Sequence, residues 1–240
     1  MKFISEVYWD KGGRSVNQDS LSLQQVSIRG KRVVFALVCD GIGGLQQGEE
    51  ASGFVAERMT EWFYTEAIRM LRKKKGRKKI GRAGLRALRE CNGEMEAYGK
   101  RHGMKMGTAV TMLLISKERY LAWHSGDTRL YLVNPGRGKR RIKQMTKDHT
   151  VDDHTLIRCV GSFPWKEPDV SGGRLKRNCV LLLCTDGFRN RVPEEKIKEA
   201  LQPTFLISQE QMGSRLRELS AYGKRNGETD NSSAVVVKCS

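Results

Sequence analysis

The sequence predicts an α+β fold in which antiparallel β-sheets are covered on the outside by helices. Most apolar segments of strand length follow one another with no helix between them, which is typical of antiparallel sheets and disfavours a doubly wound parallel fold. Helical periodicity is confined to a central stretch and to the C-terminal third. The 240 residues can bury one full core, and neither a repeat nor a long linker interrupts them, so we expect a single domain over residues 1–240.

Nine segments have the composition and patterning of strands. The first ends at the turn Asp10–Gly13, and two others, 33–39 and 180–184, are continuously apolar, as in strands buried on both faces. The predicted strands are 3–9, 21–28, 33–39, 108–115, 120–124, 129–133, 142–146, 180–184 and 235–238.

Four helices are predicted, in two pairs. Apolar residues recur at helical spacing over 48–71 and again over 84–102. Pro193 suits the first position of a third helix. Ser208, with Gln211 three residues later, has the pattern of a capping box that opens a fourth.

Composition excludes several classes of protein. The longest apolar runs are too short to cross a bilayer, and the N-terminus lacks the uninterrupted apolar stretch of a signal peptide. The six cysteines include no Cys-x-x-Cys pair, which argues against structural zinc and for reduced, buried thiols. We therefore expect a cytoplasmic protein without membrane association.

Four aspartates recur at the ends of predicted strands. Asp40 and Asp186 each follow the last residues of a continuously apolar strand. Asp19 and Asp230 each lie just before the start of a predicted strand. In antiparallel sheets the end of one strand lies beside the start of its neighbour, so all four carboxylates can meet at one edge of the fold.

A carboxylate cluster of this kind needs compensating charge, because like charges repel strongly in a partly dry site. Mg²⁺ and Mn²⁺ prefer oxygen ligands, and two such ions about 3.5–4 Å apart can activate a bridging hydroxide for phosphoryl transfer. The glycines that follow Asp40 would allow close approach to it. A single Asp-Gly after a strand is more often an ordinary turn, but four aspartates at strand ends favour a metal site.

The chain resembles the metal-dependent protein phosphatases of type 2C, the PPM class, and particularly its compact bacterial members. Seven motifs occur in the order found in that family and cover nearly the whole chain. They are residues 14–19 (RSVNQD), 40–44 (DGIGG), 107–109 (GTA), 126–131 (GDTRLY), 146–150 (TKDHT), 185–187 (TDG) and 230–233 (DNSS).

The resemblance implies a β-sandwich of two antiparallel sheets flanked by helices on both sides. It also implies a site with two Mn²⁺ or Mg²⁺ ions and a possible third, weaker one. The metal ligands would be Asp40 and the carbonyl of Gly41, Asp19 on one ion, and Asp186 and Asp230 on the other. Arg14 would bind the substrate phosphate, since a guanidinium matches phosphate oxygens. Asp127 would be a ligand of the third metal, with a turn aspartate as the equal alternative.

The activity implied is hydrolysis of phosphoserine or phosphothreonine in proteins, opposing a Ser/Thr kinase in signalling. The chain departs from the family pattern in three ways: Ile42 stands where better-known members have His, Gln18 where Glu is frequent, and only eleven residues separate His149 from Gly161, which indicates a shortened flap. These departures motivate the alternative of a catalytically weak scaffold that binds phosphorylated partners.

A basic segment accounts for most of the net charge of +17. Residues 69–89 contain 11 Lys and Arg and no acidic residue. The run 72–79 contains no aromatic side chain for base stacking, so nucleic-acid binding, and a nuclease with it, is disfavoured. A solvated helix end and loop is the simplest interpretation, and a docking surface for acidic partners is the alternative.

Overall fold

The computed structural model describes residues 1–42, 47–136, 141–151 and 155–240. Gly43 and Gly44 of the predicted motif at 40–44, and His154, lie outside these ranges. The ten strands are β1 (Phe3–Asp10), β2 (Asp19–Ile28), β3 (Lys31–Gly41), β4 (Thr108–Ser116), β5 (Arg119–Ser125), β6 (Arg129–Val133), β7 (Ile142–Gln144), β8 (Asp169–Arg174), β9 (Cys179–Cys184) and β10 (Ser232–Cys239).

The helices lie in two groups. The first comprises α1 (Gly48–Trp62), a π-helical turn (Phe63–Ala67), α2 (Ile68–Arg72) and α3 (Arg77–His102). The second comprises α4 (Asp186–Arg189), α5 (Glu194–Ala200) and α6 (Gln209–Arg225). No helix in the described ranges is both long enough and apolar enough to cross a membrane.

The strands form two antiparallel five-stranded sheets, in the orders β1-β10-β9-β6-β7 and β2-β3-β4-β5-β8. One apolar core, which includes Val34 and Leu183, lies between the sheets. A second core packs α1 to α3 against the sheet that contains β3, and a third packs α4 to α6 against the sheet that contains β9. The predicted β-sandwich with helices on both sides is confirmed.

The central strands are buried on both faces, which explains their continuous apolar sequences. In β3, residues 33–39 are all buried, and alternate side chains contribute to the inter-sheet core and to the helix-facing core. Phe35 stacks on Phe63 of the π-helical turn with ring centroids 4.9 Å apart. Such packing fixes the strand whose far end carries Asp40.

The β2–β3 hairpin sets the register of the second sheet. Ile28 pairs with Lys31 across a two-residue turn in which Arg29 and Gly30 both have positive φ (52° and 72°). This is the conformation of a type I′ turn, whose twist matches that of the strands. This is the first of ten residue pairs without a bulge, and the last of them joins Asp19 to Asp40.

Several predicted boundaries were wrong. The helix predicted over 84–102 begins at Arg77, so the basic run 72–79 is not simply a connection: Arg72 ends α2, Arg77 starts α3, and only 73–76 lie between. The strand predicted over 142–146 ends at Gln144, and Pro193 is the N-cap rather than the first residue of α5. Strand β8 and the short helix α4 were not predicted.

The cap predicted for the last helix is present, with one difference. Ser208 Oγ accepts a hydrogen bond from the Gln211 amide at 3.3 Å. The Gln211 side chain, however, accepts from the amide of Ile207 (2.9 Å) rather than from that of Ser208. The return bond of the capping box is therefore displaced by one residue.

Candidate functional site

Asp19 and Asp40 lie side by side in the β-ladder. Asp19 is the first residue of β2 and Asp40 the tenth of β3, and their Cα positions are direct partners. Opposed residues of an antiparallel pair place their side chains on the same face, about 4.5–5.5 Å apart at Cβ. Two acidic side chains opposed in this way destabilise the sheet unless something compensates their charge.

Electrostatic strain is concentrated on these two carboxylates. Burial raises the pKa of Asp40 well above its ordinary value, and the charges of Asp19 and Asp186 raise it further. Burial likewise raises the pKa of Asp19 to about 7, although the Thr185 hydroxyl donates a hydrogen bond to this carboxylate and so lowers it. Both groups would therefore resist ionisation at neutral pH without nearby positive charge.

Asp186 and Asp230 approach the same pole of the sandwich from the other sheet. Asp186 is the first residue of α4, directly after β9, and Asp230 lies two residues before β10. Their charges both raise the pKa of Asp19, which places all three carboxylates within electrostatic range. Thr185 joins the two sheets here, since its hydroxyl donates to Asp19 Oδ2 at 2.9 Å.

Asp127 lies at the margin of this cluster. Burial raises its pKa to about 6, and the charge of Asp186 contributes to the increase. The Asp127 carbonyl accepts a hydrogen bond (3.3 Å) from Arg189 of α4. The fold thus brings together all five aspartates that the sequence singled out.

Close backbone packing requires glycine at two positions of the cluster. A Cβ built on Gly41 would lie 2.2 Å from the carbonyl oxygen of Gly48, at the start of α1. A Cβ on Gly187 would lie 2.1 Å from the carbonyl oxygen of Asn231. Neither side chain could be accommodated without movement of the backbone that carries the aspartates.

Arg14 reaches the cluster through Asp230. Its Nη2 donates to Asp230 Oδ2 at 2.9 Å, and the side chain is 56% exposed. The guanidinium is therefore directed toward the carboxylates while most of its surface remains open to solvent. A ligand phosphate at this pole could reach it without any rearrangement of the fold.

Comparison with known proteins identifies the family. The sequence profile of the family described as "Protein phosphatase 2C" matches residues 12–220. The chain belongs to this family. The matched residues include Arg14 and four of the five aspartates, and they end within α6, before Asp230.

Named relatives and solved structures agree with this membership. The serine/threonine phosphatase stp of Listeria welshimeri is 24% identical over 95% of this chain and 89% of its own length. The serine/threonine protein phosphatase PstP of Mycobacterium tuberculosis is 28% identical over 83% of this chain and 39% of its own length. The crystal structure of the PstP catalytic domain with two manganese ions is 25% identical, covers 98% of this chain and 97% of its own, and has a TM-score of 0.78.

The aspartates of this phosphatase 2C chain fit divalent ions with few protein ligands each. Asp19 Oδ1 is buried without a hydrogen-bond partner, and no described residue donates a hydrogen bond to the Asp40 carboxylate. Within the described residues, no three His, Cys, Asp or Glu side chains are grouped tightly enough to hold one ion by themselves. This arrangement suits Mg²⁺ or Mn²⁺, which retain several waters and take one or two carboxylates, better than a closed structural site.

Residues around the aspartates hold this phosphatase 2C site together, although no motif predicted a separate role for them. Arg129 forms a forked ion pair with Asp148, with N–O distances of 2.7–3.0 Å, and Asp148 also lies 3.5 Å from Arg189. Arg189 in turn binds the Asp127 carbonyl. Arg129 and Asp148 are in motifs noted above, but only their contacts reveal that they position the Asp127 turn.

Asn231 closes the loop that carries Arg14 and Asp19. Its Nδ2 donates to the carbonyls of Lys11 (2.8 Å) and Val16 (3.0 Å), and its Oδ1 accepts from the Gln18 amide (2.8 Å). The Asn231 residue is 6% exposed, so these bonds replace solvent for three backbone groups. One side chain therefore fixes the path of residues 11–18 beside the carboxylates.

Asn231→Ala is expected to destabilise the protein by about 2–3 kcal/mol, since three partly buried backbone groups lose their partner. It should also weaken Mn²⁺ binding, because the loop before Asp19 is released. Urea unfolding and calorimetric titration with Mn²⁺ measure the two effects. In the control Asn226→Ala, a single exposed bond to the Tyr222 carbonyl is lost, so less than about 1 kcal/mol is expected. Equal effects of the two substitutions would contradict this role for Asn231.

Proposed function

We propose that this phosphatase 2C protein hydrolyses phosphoserine and phosphothreonine in proteins and so opposes a Ser/Thr kinase in signalling. The observation that carries the proposal is the convergence of five aspartates, two of them paired in one ladder, at one pole of a phosphatase 2C fold. The relatives named as serine/threonine phosphatases support the substrate class. The same relatives favour an active enzyme over a phosphoprotein-binding scaffold.

The residues divide into metal ligands and a phosphate ligand. Asp19 would be a ligand of one ion and Asp186 and Asp230 would be ligands of the other, and Asp40 and the Gly41 carbonyl would bridge or bind the two, with water completing the coordination. Asp127 would serve a third, weaker ion. When bound, Mn²⁺ or Mg²⁺ activates a water for attack on phosphorus and neutralises charge on the phosphoryl group. Arg14 orients the substrate phosphate by bidentate hydrogen bonding and stabilises negative charge that develops on its oxygens.

Arg14 and Asp230 are paired in the structure, which suggests an order of events. A cation at Asp230 would compete with the guanidinium for the carboxylate. Arg14 would then be released to bind a phosphate oxygen. The half-exposed position of Arg14 permits this change through side-chain rotation alone.

We expect Mn²⁺-dependent hydrolysis of para-nitrophenyl phosphate and of phosphothreonine peptides, abolished by EDTA and restored by added Mn²⁺. Asp186→Ala should lower kcat/KM by at least about 10²-fold, because it removes one of the carboxylates that hold the ions. Arg14→Ala should raise KM for the phosphopeptide and also lower kcat, because Arg14 is assigned both to the substrate phosphate and to the charge that develops on it. Turnover that persists in EDTA, or that is unaffected by Asp186→Ala, would refute the assignment. Metal binding without turnover on any phosphopeptide would instead favour the scaffold.

We further propose that the protein acts in the cytoplasm. All six cysteines are free, and five of them are buried, as expected for a chain that folds in a reducing compartment. We also propose that the basic run 72–79 takes part in docking acidic partners.

A further inference from the structure

A basic pocket lies at the pole of the sandwich opposite the aspartates. It has a volume of about 420 Å³ and opens between the helix-covered face of the second sheet and the α2–α3 connection. Strand β3 runs from one pole to the other. Its first residue, Lys31, lines the pocket, and Asp40, near its other end, belongs to the aspartate cluster. At a rise of about 3.3 Å per residue, the nine steps from Lys31 to Asp40 span about 30 Å.

Three separate segments supply the charge of this pocket, which we call the distal basic pocket. They are the β2–β3 turn, the α2–α3 connection and the β4–β5 turn. Eight cationic side chains line it and no acidic one does: Arg29, Lys31, Arg72, Lys74, Lys75, Arg77, Lys117 and Arg119. The cluster is therefore a product of tertiary structure and extends well beyond the run 72–79.

The eight cations are not used within the fold. Among the described residues none of them forms an ion pair. Glu118, the acid in the β4–β5 turn, does not line the pocket and pairs with Arg174 at 2.6 Å. Uncompensated repulsion between like charges is destabilising, so an anionic ligand would relieve it.

The local structure is also unfavourable for cations. The first turn of α3 contains three basic residues and no acidic one, which opposes the helix dipole. Lys74 and Lys117 adopt positive φ (51° and 60°), a conformation that Gly or Asn would adopt at lower cost. Local stability therefore does not explain the choice of basic residues here.

The floor of the pocket is apolar. It includes Ile28, Val33, Leu71, Ile80, Leu114 and Leu121. A simple inorganic anion would leave this surface unused, whereas an apolar side chain could insert between the cations and cover it. Exposed aromatic side chains on which a base could stack are missing from the lining, because its one aromatic residue, Tyr120, is only 7% exposed. These features favour a peptide over a nucleic acid.

We propose that the distal basic pocket binds an acidic peptide segment of a protein partner, with one apolar side chain of that segment inserted into the floor. The inference rests on the proposed function only in taking the partner to be a phosphoprotein substrate. Binding at this pole would increase the local concentration of phosphoprotein without contact to the reacting atoms.

The test measures peptide binding directly. A fluorescent peptide of six acidic residues around a central leucine is titrated with the metal-loaded protein at about 0.1 M salt, and bound fraction is read by fluorescence polarisation. The pocket variant combines Lys31→Glu, Lys75→Glu and Arg119→Glu, one change in each segment. The control variant carries the same change of charge at exposed residues outside the pocket, with Lys143→Glu, Arg217→Glu and Arg225→Glu.

We expect the pocket variant to bind the peptide at least about tenfold more weakly and the control variant to change less than about threefold. Replacing the central leucine by alanine should weaken binding about fivefold or more. Equal losses in the two variants, no effect of the leucine, or tighter binding of a single-stranded RNA of equal charge would overturn the proposal. So would the absence of binding by the unaltered protein.

Hydrolysis of para-nitrophenyl phosphate separates this proposal from the proposed function. The pocket variant should retain unaltered turnover of this small substrate, because the changes lie about 30 Å from the aspartates. Inactivity of the unaltered protein would refute the proposed function and leave the binding result intact. If the pocket variant loses both peptide binding and turnover of the small substrate, it is misfolded. Single substitutions at Lys31 and at Lys75 must then weaken peptide binding with turnover retained, and the proposal is refuted if they do not.

Discussion

Asp40→Asn is expected to lower kcat at saturating Mn²⁺ by at least about 10³-fold without loss of the folded state. Among the described residues no group donates a hydrogen bond to the Asp40 carboxylate, which is partly exposed and faces Asp19 across the ladder. Asparagine has nearly the same shape but presents a neutral oxygen. The site would lose the shared anionic ligand on which activation of water and compensation of phosphoryl charge depend. Steady-state hydrolysis of a phosphothreonine peptide, with far-ultraviolet circular dichroism to verify folding, measures this effect.

The matched control is Asp10→Asn. Asp10 also ends a strand at this pole, but it is paired with Lys224 (2.9 Å) and accepts from the Gly12 amide (2.7 Å). Asparagine can still accept the latter bond, so kcat should change less than about tenfold. A comparable loss at both positions would show that the activity reflects the general charge of this pole. A fully active Asp40→Asn protein would remove Asp40 from the site.

The second large effect concerns the metal-free protein, which should become less stable as pH rises from 5 to 8. Burial raises the pKa of Asp19 in the folded state to about 7, whereas an unfolded aspartate has a pKa near 3.8. Between these values the folded state binds a proton that the unfolded state has lost, so stability falls with increasing pH. Over pH 5 to 8 the loss from Asp19 alone is about 3 kcal/mol, most of it below pH 7. Asp40 changes stability in the same direction.

Thermal unfolding in EDTA at pH 5 and pH 8 measures this loss, which corresponds to roughly 6–12 °C in Tm for a chain of this size. Asp19→Asn should be more stable than the unaltered protein at pH 8 in EDTA, and Mn²⁺ should stabilise the unaltered protein far more than this variant. Asp10→Asn, at a paired carboxylate, should show neither gain. A metal-free Tm that is independent of pH, or an Asp19→Asn protein that is less stable at pH 8, would contradict the electrostatic account.

The main elements could be predicted from sequence because their patterns are determined by burial. The continuous apolar run of β3 and the helical spacing in α1 both persist in the structure. Strand β8 could not be predicted, since its sequence DVSGGR is mostly exposed and its pairing with β5 depends on a neighbour distant in sequence. The first turn of α3 was missed because its residues are basic and exposed. Lys and Arg have good helix propensity but give no apolar signal.

The positions of the aspartates could be predicted from sequence because they lie at strand ends. The contacts that support them could not be predicted. An antiparallel pairing of β2 and β3 brings Asp19 and Asp40 to the same edge of the sheet, so position along the chain was sufficient to predict that they lie near each other. The pairing of Arg14 with Asp230 and the three bonds of Asn231 join segments more than 200 residues apart. Such contacts depend on how the two sheets face each other, which no local pattern in the sequence encodes.

The two-residue turn at Arg29 and Gly30 has a consequence for the opposite end of its hairpin. Since side chains alternate between the faces of a strand, one added residue in that turn would shift β2 by one position and direct Asp19 away from Asp40. Surface turns usually tolerate changes of length, but this one keeps two acidic groups facing each other about 30 Å away. The length of a turn that does not contact Asp19 or Asp40 therefore determines whether these two proposed ligands face each other.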